Sequence, residues 1–345
     1  MTQASALEIT PIDPAQAEEL GGMTFPSYRH LLHLRAAPRH PEQGDDRVVQ
    51  PLGVMARLDG AAVGLALAEA PVGRHAPGVN PVAWPLGAHV PSGLRPQTPV
   101  DSPADEPEIP ELLSIFVKAD HRNRGVATAL LERLEAALAG RGFGEVKGTF
   151  MSGRSANDAL LRVLAKRGWT PPAVRTVTLR FTPQGARATP WYGRLQYSDD
   201  YEVFPWGELT KEEREGLYRT QAAGQWIPAG LEPWRHDRYG FDAVSSLGLR
   251  YKGQVVGWVI NHRLGPSMVR FTCSFMRKDL GRRGRIMPLY TAALERLEKD
   301  GCQDCLFITP VEFPNMVHFV TDRCAPYTGV LSETYGVSKR LEDAR

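Results

Sequence analysis

The chain has 345 residues, 42% of them hydrophobic, and a formal net charge of +2 with the two signs well mixed. The length suits two domains better than one, and the even charge argues against a dedicated nucleic-acid binder, which carries a strong basic bias. Four cysteines, Cys273, Cys302, Cys305 and Cys324, are too few for a disulfide scaffold and suit a reducing compartment.

The opening MTQASALEITPID has no basic stretch followed by an apolar run, so no signal peptide is expected. No apolar run approaches membrane-spanning length. The expected location is the cytoplasm, with no membrane and no nucleic acid as partner. An early helix holds His30 and His33 among Leu31, Leu32 and Leu34. Without an acid or cysteine at ligand spacing these histidines read as packing or surface residues, and no metal is expected.

Asp59-Gly60 followed by Val63–Leu67 predicts a hairpin. From about Pro71 to Pro110 the chain is dense in Pro and Gly and has no period, which predicts a long loop inserted into the domain. Its end is acidic, with Asp101, Asp105, Glu106, Glu108 and Glu111. The run Leu112–Val117 predicts a strand. Arg122-Asn123-Arg124-Gly125 then opens a helix with Ala127, Leu130, Leu131, Leu134 and Leu138 on one face. A short strand and a second helix beginning near Asn157 follow.

The pattern then recurs. Lys252-Gly253 precedes Val255–Val259 as Asp59-Gly60 precedes Val63–Leu67. Gly281-Arg282-Arg283-Gly284 opens a helix with Ile286, Leu289, Ala293, Leu294 and Leu297 on one face. Gly284 and Gly301 bracket it at the same spacing as Gly125 and Gly142. A strand and Asn315 follow. The repeat predicts an N-terminal domain over 1–182 carrying the insertion at about 71–110, a polar linker over 183–200, and a C-terminal domain over 201–345. Each is expected to be mixed α/β, of the α+β kind, with a mixed and mostly antiparallel sheet flanked by helices. Cys302-x-x-Cys305 follows a helix and enters an apolar run, a context that reads as two ordinary reduced thiols.

The chemistry concentrates at Arg122-x-x-Gly125-x-Ala127. A helix start presents unpaired N–H groups and the positive end of the helix dipole, to which phosphate oxygens bind. Gly125 and Ala127 leave the backbone open to a diphosphate, and Arg122 and Arg124 add positive charge. The run SIFVKADHRNRGVATALLERLEAALAGRGFGEVKGTF, followed by SAND and LAKRGW, resembles the GNAT superfamily of acyl-CoA-dependent N-acyltransferases. The resemblance is strongest from Glu111 to Trp169 and extends less specifically over Tyr201–Leu341, giving a tandem two-domain GNAT protein.

That resemblance implies acetyl-CoA as cosubstrate and an amine, on a small molecule or peptide, as acceptor. It implies a pyrophosphate loop over Arg122, Asn123, Arg124, Gly125, Val126 and Ala127, with Thr128 just inside the helix. Ile115 and Val117 take the backbone positions that hold the thioester carbonyl and pantetheine arm, and Asn157 begins the helix that faces the cofactor. Glu111 stands where one branch of the family keeps its general base. An amine is mostly protonated near neutrality, so a carboxylate that accepts its proton is what the reaction needs. The family's usual Tyr before the Gly-aromatic pair is Leu164 here, which leaves the source of the leaving thiol's proton open. In the second copy the loop begins with Gly281 and ends with Ile286, and Arg270 replaces Glu111, so that copy reads as degenerate and substrate-shaping. Two alternatives to acetyl transfer are a non-catalytic acyl-CoA-binding module and an N-acyltransferase using a longer acyl-CoA. A monomer or homodimer is expected, with the insertion over the acceptor site.

Overall fold

The computed structural model describes residues 6–40, 45–72, 109–237, 240–280 and 284–342. The first half contains β1 (Leu7–Pro11), a short α1 (Ala17–Leu20), a 3-10 segment (Pro26–His33), β2 (Ala37–His40), β3 (Asp45–Leu58) and β4 (Ala61–Pro71). It continues with β5 (Glu111–Val117), α2 (Val126–Ala139), β6 (Glu145–Met151), α3 (Asn157–Lys166) and β7 (Ala173–Phe181). The second half contains β8 (Tyr201–Pro205), α4 (Lys211–Gly224), α5 (Trp234–Asp237), β9 (Leu247–Tyr251), β10 (Gln254–Gly265) and β11 (Met268–Met276). It closes with α6 (Met287–Lys299), β12 (Asp304–Pro310), α7 (Pro314–His318) and β13 (Val330–Arg340). Most of the 71–110 insertion, with Asp101, Asp105, Glu106 and Glu108, lies outside the described residues, as do Gly281, Arg282 and Arg283. Among the described residues no helix is long and apolar enough to cross a membrane.

The two hairpins form where the turn residues demand. Asp59 and Gly60 sit at φ 49° and 77°, and Lys252 and Gly253 at φ 48° and 77°. Two successive left-handed residues match the right-handed twist of the flanking strands. The helix stripes are buried as their spacing predicts: Leu130, Leu131, Leu134 and Leu138 on α2, and Leu289, Ala293, Leu294 and Leu297 on α6. Each leucine so placed contributes roughly 1.5–3 kcal/mol of apolar burial.

The repeat extends to irregularities of the backbone. In the first half the β4–β5 register slips between Leu67 and Ala68, leaving Leu113 as the extra residue. In the second half the β10–β11 register slips between Ile260 and Asn261, leaving Thr272 as the extra residue. The slips fall at the same place counted from Gly64 and Gly257, which face Val117 and Met276. Both glycines are required by close approach: a Cβ would lie 2.6 Å from the Phe116 carbonyl oxygen at Gly64 and 2.9 Å from that of Phe275 at Gly257.

The expected mixed sheets with flanking helices are present, joined into one sheet of 13 strands. β7 of the first half pairs with β12 of the second on one side and with β13 on the other, and β13 pairs in turn with β6. The last strand of each half is therefore seated between two strands of the other, which removes two exposed sheet edges. The side chains follow the strands. Val177, Leu179 and Phe181 of β7 pack in the second half's core, and Val337 of β13 packs in the first. Glu135 of α2, 4% exposed, fixes the junction by accepting from Lys339 Nζ at 2.6 Å, Arg167 Nη2 at 2.7 Å and Trp169 Nε1 at 2.8 Å.

Candidate active site

β5 and β6 run parallel but pair only at Glu111–Lys147 and Leu112–Gly148. Beyond those pairs β5 continues to Val117 and β6 to Met151, so the sheet splits into a wedge. The bulge at Leu113 bends β5 at the point where the split begins. Ile115 and Val117 lie on the β5 side of the wedge, half-buried and packed on the α2 core. The backbone of β5 there has β4 on one side and the split on the other.

At the end of β5 the chain turns into the loop that opens α2. Arg122, Asn123, Arg124 and Gly125 are exposed, whereas Val126 is buried and anchors the helix. Asn123 and Gly125 are left-handed, at φ 60° and 81°. Gly125 is the N-cap and makes no side-chain capping bond, and the first turn has no acid. The helix start therefore keeps its N–H donors and its positive potential, and a Cβ at Gly125 would meet nothing within 4 Å. An open, uncapped, acid-free helix start fits a diphosphate. Arg122 Nε donates to the Val117 carbonyl at 3.1 Å, bracing the loop against the strand end. Ala127 and Thr128 are half-buried in the first turn. Asn157 begins α3, and its Nδ2 donates to the Met151 carbonyl at 2.8 Å, tying the helix start to the β6 side of the wedge.

The other end of the wedge is acidic. Glu111, 9% exposed, begins β5 and accepts from Thr149 Oγ1 of β6 at 2.8 Å. Directly across on β4 is Glu69, 7% exposed. The sequence reading missed Glu69 and Thr149. The signal for Glu69 is an acid inside the apolar run LALAEAP, but its partner lies across the long insertion, where register cannot be counted. Leu164, at the position of the family's usual Tyr, is 2% exposed in the first core and offers no proton.

Residues 27–169 match the model of the acetyltransferase (GNAT) family. That segment belongs to the GNAT family. Over its whole length the chain shares the fold of solved tandem and GCN5-related proteins. One is a GCN5-related glucosamine N-acetyltransferase region in a fungal multi-domain GH3 beta-N-acetylglucosaminidase (TM-score 0.59, 14% identity, 97% of this chain and 38% of that one). A second is a tandem GNAT protein from the clavulanic acid biosynthesis pathway (TM-score 0.55, 11% identity, 99% and 100%). A third is a GCN5-related N-acetyltransferase from Sphaerobacter thermophilus (TM-score 0.51, 13% identity, 97% and 96%). The chain thus spans well under half of the fungal protein and all of the clavulanic acid pathway protein. No curated protein matches the sequence.

The second half repeats the wedge of the first but not its open helix start. β11 and β12 stop pairing after Phe271–Phe307, the equivalent of Leu112–Gly148. Gly284 is left-handed like Gly125, at φ 73°, but a Cβ there would lie 3.7 Å from Leu195 Cδ1. Tyr197 Oη donates to the Arg285 carbonyl at 2.8 Å. The segment joining the halves thus runs against the start of α6. Pro288, which has no N–H, sits in the first turn of α6, after Ile286 at the N-cap.

Proposed function

We propose that this protein is an N-acetyltransferase that moves the acetyl group of acetyl-CoA to a primary amine by direct attack, with the cosubstrate held in the first half. The observation that carries this reading is the wedge between β5 and β6 leading to the open, uncapped start of α2. Family membership of residues 27–169 supports the reaction class. In this reading the backbone N–H groups from Arg122 to Thr128 hold the pyrophosphate, the backbone at Ile115 and Val117 holds the pantetheine arm and thioester carbonyl, and Asn157 orients the β6 side. The cosubstrate brings an activated acyl carbon. Glu111 accepts the proton of the incoming amine, directly or through a water, and Thr149 fixes the orientation of its carboxylate. Alignment of amine and thioester supplies the rest of the acceleration. A thiol with a pKa near about 8–9 leaves without a dedicated acid, so the leucine at 164 is compatible with turnover.

The buried Leu164 also favours a second reading, an acyl-CoA-binding module without turnover. Free-thiol release from acetyl-CoA with a panel of primary amines separates the two. Amine-dependent release is expected. Saturable acetyl-CoA binding with no release by any amine leaves the binding module standing and removes the enzyme.

A further inference from the structure

The sheet position of Glu111 in the first half is occupied by Arg270 in the second, and that of Glu69 by His262. The two face each other across β10 and β11 as the glutamates do across β4 and β5. A pair of acids in one half corresponds to a pair of bases in the other, at the closed end of an equivalent split. Arg270 is half-buried, and its Nε donates to Thr272 Oγ1, on the bulged residue, at 3.1 Å. The same hydroxyl lies 2.8 Å from His262 Nδ1. His262 Nε2 lies 2.7 Å from the His236 carbonyl, and His236 Nε2 lies 2.7 Å from the Gly230 carbonyl. A carbonyl only accepts, so both Nε2 atoms carry hydrogen.

Among the described residues no carboxylate pairs with Arg270. The other half-buried arginines near this sheet are paired: Arg214 with Asp237 at 2.8 Å, Arg250 with Glu213 at 2.6 Å and Arg277 with Asp279 at 2.8 Å. The nearby acids are already engaged. Glu232 accepts from the Gly230 N–H at 2.7 Å and pairs with Arg235 at 3.0 Å. Asp237 accepts from Trp206 at 3.0 Å as well as from Arg214. Asp242 is held by Arg263 at 2.8 Å and Ser245 at 2.6 Å. Burial pushes the Arg270 guanidinium below its ordinary range with no acid to offset it. A partly desolvated charge of this kind is costly until an anion joins it.

We propose that Arg270, with His262 and His236 beside it, forms an oxyanion-binding site in the cleft of the second half, taking the carboxylate or phosphate group of a small ligand. The planar guanidinium suits either group, because both accept two parallel N–H bonds. The site stands independently of acetyl transfer in the first half. Binding is proton-linked. Burial is the largest cause holding both histidines below the ordinary imidazole range, and neighbouring Arg270 adds to it. An arriving anion favours their protonated forms, so affinity rises as pH falls from about 8 to about 6.

Calorimetric titration of the full chain with inorganic phosphate and with succinate, at matched ionic strength, tests this. Saturable binding is expected, weakened about tenfold or more in Arg270→Gln. It should persist in Gly125→Val, which alters the other anion-attracting point at the start of α2. A preference for phosphate or for succinate identifies which oxyanion the site takes. If Arg270→Gln fails to fold, the His262 ring in the wild-type protein gives a second readout by NMR, its pKa moving upward at saturating anion. Equal affinity in wild type and Arg270→Gln, or a His262 pKa that does not move, overturns the proposal.

Discussion

At the start of α2 a Cβ on Gly125 would meet nothing within 4 Å, whereas at the start of α6 a Cβ on Gly284 would meet Met287 Cγ at 3.5 Å and Leu195 Cδ1 at 3.7 Å. The helices follow equivalent strands, with the bulge and the split in equivalent places. What differs is the surface of the loop. In the first half the helix start at Gly125 is exposed and a Cβ there would meet nothing within 4 Å. In the second, Leu195 and Tyr197 lie against the loop and Pro288 removes a donor. The wedge is a property of backbone register and survives changes of side chain. A phosphate site depends on open donors, and the proline and the apolar contact at the start of α6 are expected to disfavour one there. The same divergence reaches the closed end of the wedge, where His262 and Arg270 take the sheet positions of Glu69 and Glu111.

The comparison can be broken first at the exchange of strands. Deleting 330–345 removes β13 from between β6 and β7, together with Val337 and the Lys339–Glu135 contact. We expect the cooperative thermal transition of the first half to vanish, along with acetyl-CoA binding. A truncated chain that melts cooperatively and binds acetyl-CoA would show that the halves do not depend on each other.

The next effect is on catalysis. Glu111→Gln should lower kcat/KM for the amine by about 10² to 10⁴-fold, the range for a positioned base. The defect should shrink as pH rises and more amine arrives deprotonated, while acetyl-CoA affinity stays close to wild type. A Gln variant with wild-type rates at neutral pH would move the role to another group, Glu69 first. A smaller effect concerns the junction. Glu135→Ala leaves Lys339 without its carboxylate and Arg167 with only Glu132 at 3.3 Å, and should cost about 3 kcal/mol in denaturant unfolding. The smallest expected effect is that of Ile286→Ala, which should leave acetyl-CoA binding unchanged because Leu195 and Pro288 still disfavour the second loop. A new acetyl-CoA site in that variant would mean the isoleucine alone closes it.

Much of this was legible in the sequence because it is local. The turns at Asp59-Gly60 and Lys252-Gly253, the stripes of α2 and α6 and the loop before Val126 are each set by residues a few positions apart. What escaped is non-local. Glu69 meets Glu111 across an insertion that hides the register. β7 and β13 pair across the two halves, and a strand's own pattern does not say which neighbours it will take. The stretch over 183–200 reads as a polar separator by composition, yet Trp191, Tyr192 and Tyr197 pack against the second core.

The asymmetry of the two halves is tested most directly by calorimetric titration of the full chain with acetyl-CoA. The account predicts a stoichiometry of about one per chain, with binding abolished in Gly125→Val, where a β-branched residue must adopt a left-handed backbone at the phosphate end of the wedge. Two sites of equal affinity, or binding that persists undiminished in Gly125→Val, would contradict it.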